Sequence, residues 1–247
     1  MQNPTSPLNL CVFGHPSANP GEVATALGAT LGTQATGDIS CALFVVNPNT
    51  GIDQATIDQW QSFDEFLTPR MIVVTELDGN NADFDDAVML ASRVFDQIAT
   101  PYLVLHDDDG SPRALISLSD MVITDYSTTP PTKNPCEPEH ETLVQEFRDE
   151  YLELVTSMGE GALAAGVLFP AIPLVLQKGI GLDVIKKYLA ELNYYYQAAA
   201  ISSLVKVSNC GSTFVFPIIG MKFASPLHRG TMCWWMCSAT PAPEIAP

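Results

Sequence analysis

The sequence predicts an α/β protein whose mostly parallel sheet is flanked by helices and carries a small antiparallel insertion. Three observations predict it. The apolar runs LNLCVF, CALFVVNP and MIVVTELD lack strict alternation, as strands covered on both faces do. Segments with helical spacing separate these runs, so strand and helix alternate along the first part of the chain. After residue 100 the pattern changes to strand, Asp-Gly turn and strand.

Taken in order, LNLCVF reads as a buried strand, and GEVATALGATLG reads as a helix after a turn from Gly14 to Pro20. CALFVVNP is the second strand. GIDQATIDQWQSFDEF follows as a helix with Ile52, Ala55, Ile57, Trp60 and Phe63 on one face. MIVVTELD is the third strand. In ADFDDAVMLASRVFDQ the residues Phe84, Ala87, Val88, Ala91, Val94 and Phe95 stand at helical spacing. Asp83, Asp85 and Asp86 lie at its start, where the helix dipole favours negative charge. TPYLVLHDDDGSPRALISLSDMVITDYS reads as antiparallel strand pairs, and the four prolines of STTPPTKNPCEPEH mark a loop. ETLVQEFRDEYLELVTSM is a helix with the stripe Leu143, Phe147, Tyr151, Leu154 and Val155. FPAIPLVL is a strand, GIGL a turn and DVIKKYLAEL a helix. Beyond residue 197 the sequence fits helix and strand equally, and no internal repeat occurs.

With 247 residues, 47% hydrophobic and 16% charged, the chain has enough apolar material for one substantial core or for a large and a small domain. Its formal net charge of -17, from 28 acidic and 11 basic side chains, opposes direct contact with a nucleic-acid backbone, and no run of Lys or Arg offsets it. The six cysteines form no CxxC pair; Cys233 and Cys237 lack a second pair or a nearby His, so reduced, unligated thiols are expected. The N-terminus MQNPTSPLN does not read as a signal peptide. The most apolar region is interrupted by Lys206, Asn209, Gly211 and Pro217 before it reaches the roughly 20 residues of a membrane span. No membrane partner and a cytoplasmic location are the expectation.

Several motifs invite chemistry and carry little. The acidic residues of HDDDG (106–110) are consecutive and cannot all face one ion, which favours a solvated hairpin tip over a metal loop. His15 reads as a turn residue rather than a base, and His140 and His228 as surface residues. Ser17 and Ser212 lack a nucleophile-elbow context. Tyr194, Tyr195 and Tyr196, with Trp234 and Trp235, offer either a contact surface or packing for a C-terminal subdomain.

TELDGNNADFDDAVMLASRVFDQ, then LHDDDG, then ALISL and DYS, resemble the GTPase domain of elongation factor G and its bacterial elongation-factor-G-like relatives. That family has a T-K-x-D or N-K-x-D base-reading motif at a strand end, an acidic helix with an R-V-F core, and an inserted hairpin region with an acidic turn. CALFVVNPNTGIDQATIDQW is similar to the preceding family strand and helix, while ETLVQEFRDEYLELV and GVLFPAIPLVLQKGIGLDVIKKYL resemble the end of the domain. FASPLHRG is similar to the family's F-P-S-P exit. The match covers most of residues 8 to 192. It implies a P-loop-NTPase-like fold with a degenerate GTPase-like domain over 1–192, an insertion about 101–140, and a C-terminal extension over 193–247. The resemblance makes the chain a truncated form of the family domain. It further implies the ribosome or translation-associated proteins as partners, with GTP or GDP and Mg2+ as the ligands of any surviving site.

The residues of that site have changed. A phosphate loop, GxxxxGK[ST], wraps phosphates in backbone N-H groups, neutralises them with Lys and holds Mg2+ through a hydroxyl. Aligned on Gly14, Asn19 replaces the second Gly, Pro20 the Lys and Gly21 the hydroxyl residue. Pro20 also removes a donor, and Glu22 puts negative charge at a helix start. Between Gly14 and the end of VVNP there is room for one helix and little else, so the first switch and the D-x-x-G motif are missing. The base-reading element keeps Thr75 and Asp78, but Glu76 replaces its Lys; Val175 and Leu176 stand where the family has S-A. One bidentate contact at Asp78 supplies about 1 to 3 kcal/mol against the roughly 8 kcal/mol of micromolar binding. The sequence expectation is a pseudo-GTPase with vestigial nucleotide contacts at Gly14, Asn19, Thr75 and Asp78, no catalytic residue, no metal ligand and no cofactor. Two alternatives stand beside it: a translational GTPase completed by a partner chain, and a shortened product without a selected role.

Overall fold

A computed structural model describes residues 8–78, 83–202, 207–209 and 212–214. Its elements are β1 (Leu10–Gly14), α1 (Pro20–Leu27), β2 (Thr30–Leu31), β3 (Cys41–Val46), α2 (Gln54–Ser62), β4 (Arg70–Val74) and α3 (Phe84–Val94). There follow β5 (Ile98–Ala99), β6 (Tyr102–His106), β7 (Pro112–Ser117), β8 (Val122–Asp125), β9 (Thr132–Pro135), α4 (Pro138–Met158), β10 (Phe169–Pro173) and α5 (Leu182–Ser202). Six strands form one sheet in the order β2-β1-β3-β4-β10-β5, with every pair parallel. The antiparallel sheet β6-β7-β8-β9 is inserted between β5 and α4. This is the α/β layout expected from the sequence. A second compact unit, Ser203–Pro247, contains the antiparallel pair β11 (Val207–Asn209) and β12 (Ser212–Phe214).

The parallel strands explain their own sequences. Every residue of β3 and β4 is buried, so neither strand has a polar face to alternate with. Against them packs an aromatic cluster: Phe13 stacks on Phe44 at 5.2 Å, and Trp60 stacks on Phe95 at 4.4 Å while meeting Phe169 edge-on at 5.1 Å. Arg70, the first residue of β4, is only 2% exposed within this cluster. Its guanidinium carbon lies 4.5 Å from the ring centres of both Trp60 and Phe169, and Nη1 donates to the Trp60 carbonyl and pairs with Asp64, each at 2.8 Å.

Several elements differ from the sequence expectation. α1 stops at Leu27, and the next residues turn at Gly28 to form β2 rather than continuing the helix. In α2 the buried residues are Thr56 and Trp60, whereas Ala55 is exposed; the helix is rolled so that its tryptophan enters the core. The stretch read as a proline-rich loop contains β9, an exposed edge strand held by its ladder to β8, with Pro135 at its end. On α4 the expected stripe is divided: Leu143 is 74% and Phe147 47% exposed, Tyr151, Leu154 and Val155 are half-buried, and Val144, outside the stripe, is the buried residue. His140 is half-buried in the first turn of α4, with Nδ1 shielded and without a partner, rather than on the open surface. α5 is continuous to Ser202, where the first compact unit ends; past its buried Leu189 and Leu192, Tyr196 donates to the Ser40 carbonyl at 3.0 Å.

Cys11, Cys41 and Cys136 are buried free thiols, while Cys210, Cys233, Cys237, His228, Trp234 and Trp235 lie outside the described residues. The HDDDG segment forms the tip between β6 and β7, and Arg113 ties Asp107 to Asp125 beside it. Among the described residues, no helix is long and apolar enough to cross a membrane.

The start of α3 supplies a stability test. The Asp83 carboxylate accepts from the Asp85 N-H at 2.9 Å, satisfying a donor that the helix itself leaves free. Asp83→Ala is expected to cost about 1 kcal/mol in urea unfolding, and Asp83→Asn, which keeps the acceptor, to cost a few tenths at most.

Candidate functional site

The loops that leave β1, β3, β4 and β10 gather at the carboxyl edge of the parallel sheet, where open α/β sheets place their ligand crevices. They enclose a cleft of about 180 Å3. Asn19, Glu22, Asn49, Thr75, Glu76 and Asp78 supply its polar wall, and Val23 and Leu174–Leu176 its apolar one. Of the residues singled out from the sequence, Asn19, Thr75 and Asp78 line this cleft, and Gly14 lies at the foot of the loop beside it. Gly14 pairs with Val45 at a φ of 146°, and a Cβ there would overlap the Val45 carbonyl oxygen, so the close approach of β1 and β3 requires glycine.

The loop from β1 to α1 is folded onto its own donors. Pro16–Ala18 form a single 3-10 turn, in which the Ala18 N-H donates to the His15 carbonyl at 3.0 Å and the Asn19 N-H to the Pro16 carbonyl at 3.1 Å. The Ser17 N-H donates to His15 Nδ1 at 3.2 Å, and Glu22 N-H and Val23 N-H donate to the Asn19 carbonyl at 3.1 and 3.4 Å. Pro20 has no N-H to give. Neighbouring loops bind the carbonyls: Asn47 Nδ2 donates to the Ser17 carbonyl and the buried Thr75 hydroxyl to the Ala18 carbonyl, both at 2.8 Å.

Two polar contacts cross the cleft itself. Asn19, in the left-handed region at φ 54°, donates from Nδ2 to Glu76 Oε1 at 2.7 Å. Glu76 also has a positive φ of 56°, and Asn49 Nδ2 donates to its carbonyl at 3.4 Å. At the other end Lys178 Nζ lies 3.5 Å from Asp78 Oδ1 and donates to the Pro112 carbonyl at 2.9 Å. Both partners of that pair are partly exposed, so its contribution is at most about 1 kcal/mol. Lys178, Asn47 and Asn49 escaped the sequence reading, since no spacing relates them to residues on other loops. The amide-rich turn NPNT after the second strand was the available signal.

No family model matches the chain. Over 165 residues it is 29% identical to a curated protein of Mycobacterium tuberculosis, described under strains CDC 1551 / Oshkosh and ATCC 25618 / H37Rv; the alignment covers 57% of this chain and 22% of the relative. That relative is an elongation factor G-like protein. The chain resembles the elongation-factor-G-like GTPase domain. A crystal structure of a protein from Thermus thermophilus has the same fold, with a TM-score of 0.55 at 22% identity over 64% of this chain and 27% of that one. The chain thus spans about a fifth of the length of the elongation factor G-like relatives it matches. Its cleft is formed by the loop after β1, the TELD segment and the loop after β10.

Proposed function

We propose that this elongation-factor-G-like protein is a pseudo-GTPase: a translation-related binding module that neither hydrolyses GTP nor binds it tightly. The observation that carries the reading is the self-satisfied loop between β1 and α1, whose Ser17, Ala18, Asn19, Glu22 and Val23 N-H groups already have acceptors within the chain. A phosphate-binding loop works because such donors are left pointing at the ligand. Here a triphosphate would have to break these bonds and the Asn19–Glu76 bridge, and would then face Glu22 and Glu76 with no lysine beneath it. The residues present do not fit a Mg2+-triphosphate. Asp78, the one group suited to guanine, is engaged by Lys178.

The reading places the protein in the cytoplasm, with the ribosome or translation-associated proteins as partners and protein surfaces rather than nucleic acid as contacts. Titration of the purified full chain with fluorescently labelled GDP and GTP in the presence of Mg2+ tests it. No saturation in the low-micromolar range is expected, and the Glu76→Lys variant, which leaves the loop donors occupied, is expected to behave alike. Low-micromolar affinity of the unmodified chain, or GTP turnover stimulated by ribosomes, would overturn the reading in favour of an enzyme.

A further inference from the structure

The cleft at the carboxyl edge of the parallel sheet has spent its side-chain donors and kept its acceptors. Asn19 Nδ2 is bonded to Glu76 Oε1, Asn49 Nδ2 to Asn47 Oδ1 and the Glu76 carbonyl, and the Thr75 hydroxyl to the Ala18 carbonyl. That leaves Asn19 Oδ1 and Asn49 Oδ1 as acceptors. The charge has the same sense. Glu22, Glu76 and Asp78 line the cleft, and among the described residues no Lys or Arg does. Lys178 stands at one end, 3.5 Å from Asp78 Oδ1, so three carboxylates meet one cation there. Residues 79–82, Gly-Asn-Asn-Ala in sequence, add no basic group. A concavity lined by one sign of charge concentrates the opposite one.

The rest of the lining narrows the class of cation. Val23 and Leu174–Leu176 put an apolar wall in the same cleft, which a bare ion cannot use and methylene groups can. Among the described residues, no three Asp, Glu, His or Cys side chains are grouped closely enough to hold a metal ion. The carboxylates are therefore separate anchor points, and they match a cation whose charges are spread along a chain. At about 180 Å3 the cleft is smaller than the roughly 300 to 1,000 Å3 of pockets for drug-sized ligands, which favours a slim occupant.

We propose that this cleft binds a small aliphatic polyamine, its methylenes along Val23 and Leu174–Leu176 and its ammonium groups on Glu22, Glu76 and the Asp78 oxygen that Lys178 leaves free. Asn19 Oδ1 and Asn49 Oδ1 accept further ammonium hydrogens. The inference rests on the pseudo-GTPase reading, since it gives the cleft a ligand of the opposite charge to a nucleotide. The three carboxylates belong to exposed residues, so salt screens the attraction and binding is strongest at low ionic strength.

Calorimetric titration of the full chain with spermidine at low ionic strength tests the assignment. Saturable binding is expected. The double variant Glu22→Gln with Glu76→Gln, which keeps an acceptor for Asn19 at position 76, is expected to weaken it at least tenfold. Glu139→Gln with Glu146→Gln, the same charge change on exposed positions of α4 outside the cleft, is expected to alter it less than twofold. Butylamine, with one ammonium and the reach of a lysine side chain, is expected to bind at least tenfold more weakly than spermidine. Equal losses in the two double variants, equal binding of butylamine, or no saturation would each overturn the proposal. Thermal melts matching the unmodified chain establish that these surface variants are folded. A chain that binds neither spermidine nor nucleotide loses the polyamine alone, whereas low-micromolar nucleotide affinity removes the pseudo-GTPase reading as well.

Discussion

Arg70→Ala is expected to lower the stability of the protein by about 3 kcal/mol. The guanidinium fills the space between Trp60 and Phe169, and its removal leaves a slot between two rings held apart by the surrounding core. The Trp60 carbonyl also loses one of its two donors and keeps the Phe63 N-H at 3.1 Å. Asp64, by contrast, is 60% exposed and returns to water, which keeps the loss toward the lower end of the roughly 3 to 5 kcal/mol seen when a fully buried pair is broken. Arg70→Lys retains the charge without the planar stack and recovers only part of the difference. In urea unfolding the midpoint should fall with an unchanged slope. A loss below about 1 kcal/mol would mean that stacking between the rings contributes little.

Gly181→Ala is the second large effect, expected to cost about 3 kcal/mol from a left-handed backbone and a forced displacement together. Gly181 has a φ of 80°, and a Cβ there would overlap the Pro173 carbonyl oxygen at the end of β10. That atom is backbone and cannot swing aside, so the start of α5 must move away from the sheet. The Gly181 carbonyl accepts from the Ile185 N-H at 3.0 Å, which couples the displacement to the first turn of the helix. A thermal melt lowered by several degrees is the expected readout. A melting temperature within one degree or so of the unmodified protein would contradict the close packing of β10 against this turn.

How far the sequence revealed the molecule follows from where burial leaves a trace. β3 and β4 are covered end to end and therefore spell continuous apolar runs. β9 has four exposed residues and is held through its backbone, so TKNP looks like loop. α4 has a readable period, but its phase depends on which side the neighbouring elements occupy; Val144 rather than Leu143 meets them. Arg70 looks like a boundary residue because the rings that receive it lie at positions 60 and 169. In the cleft, Asn19, Pro20 and Glu76 were legible one by one. The bond from Asn19 to Glu76 was not, since it joins residues 57 apart that meet only after β1 and β4 enter one sheet.

The loop between β1 and α1 has a consequence for how the protein lives in a cell. A chain whose folded form binds a ligand gains stability with the logarithm of that ligand's concentration, and loses it when supply falls. Here the stabilising acceptors are covalently part of the polypeptide, supplied by His15, Pro16 and Asn19 and braced by Asn47 and Thr75. On the pseudo-GTPase reading, guanine nucleotides have no mass-action lever on this fold, and its abundance is insulated from the energy charge of its surroundings.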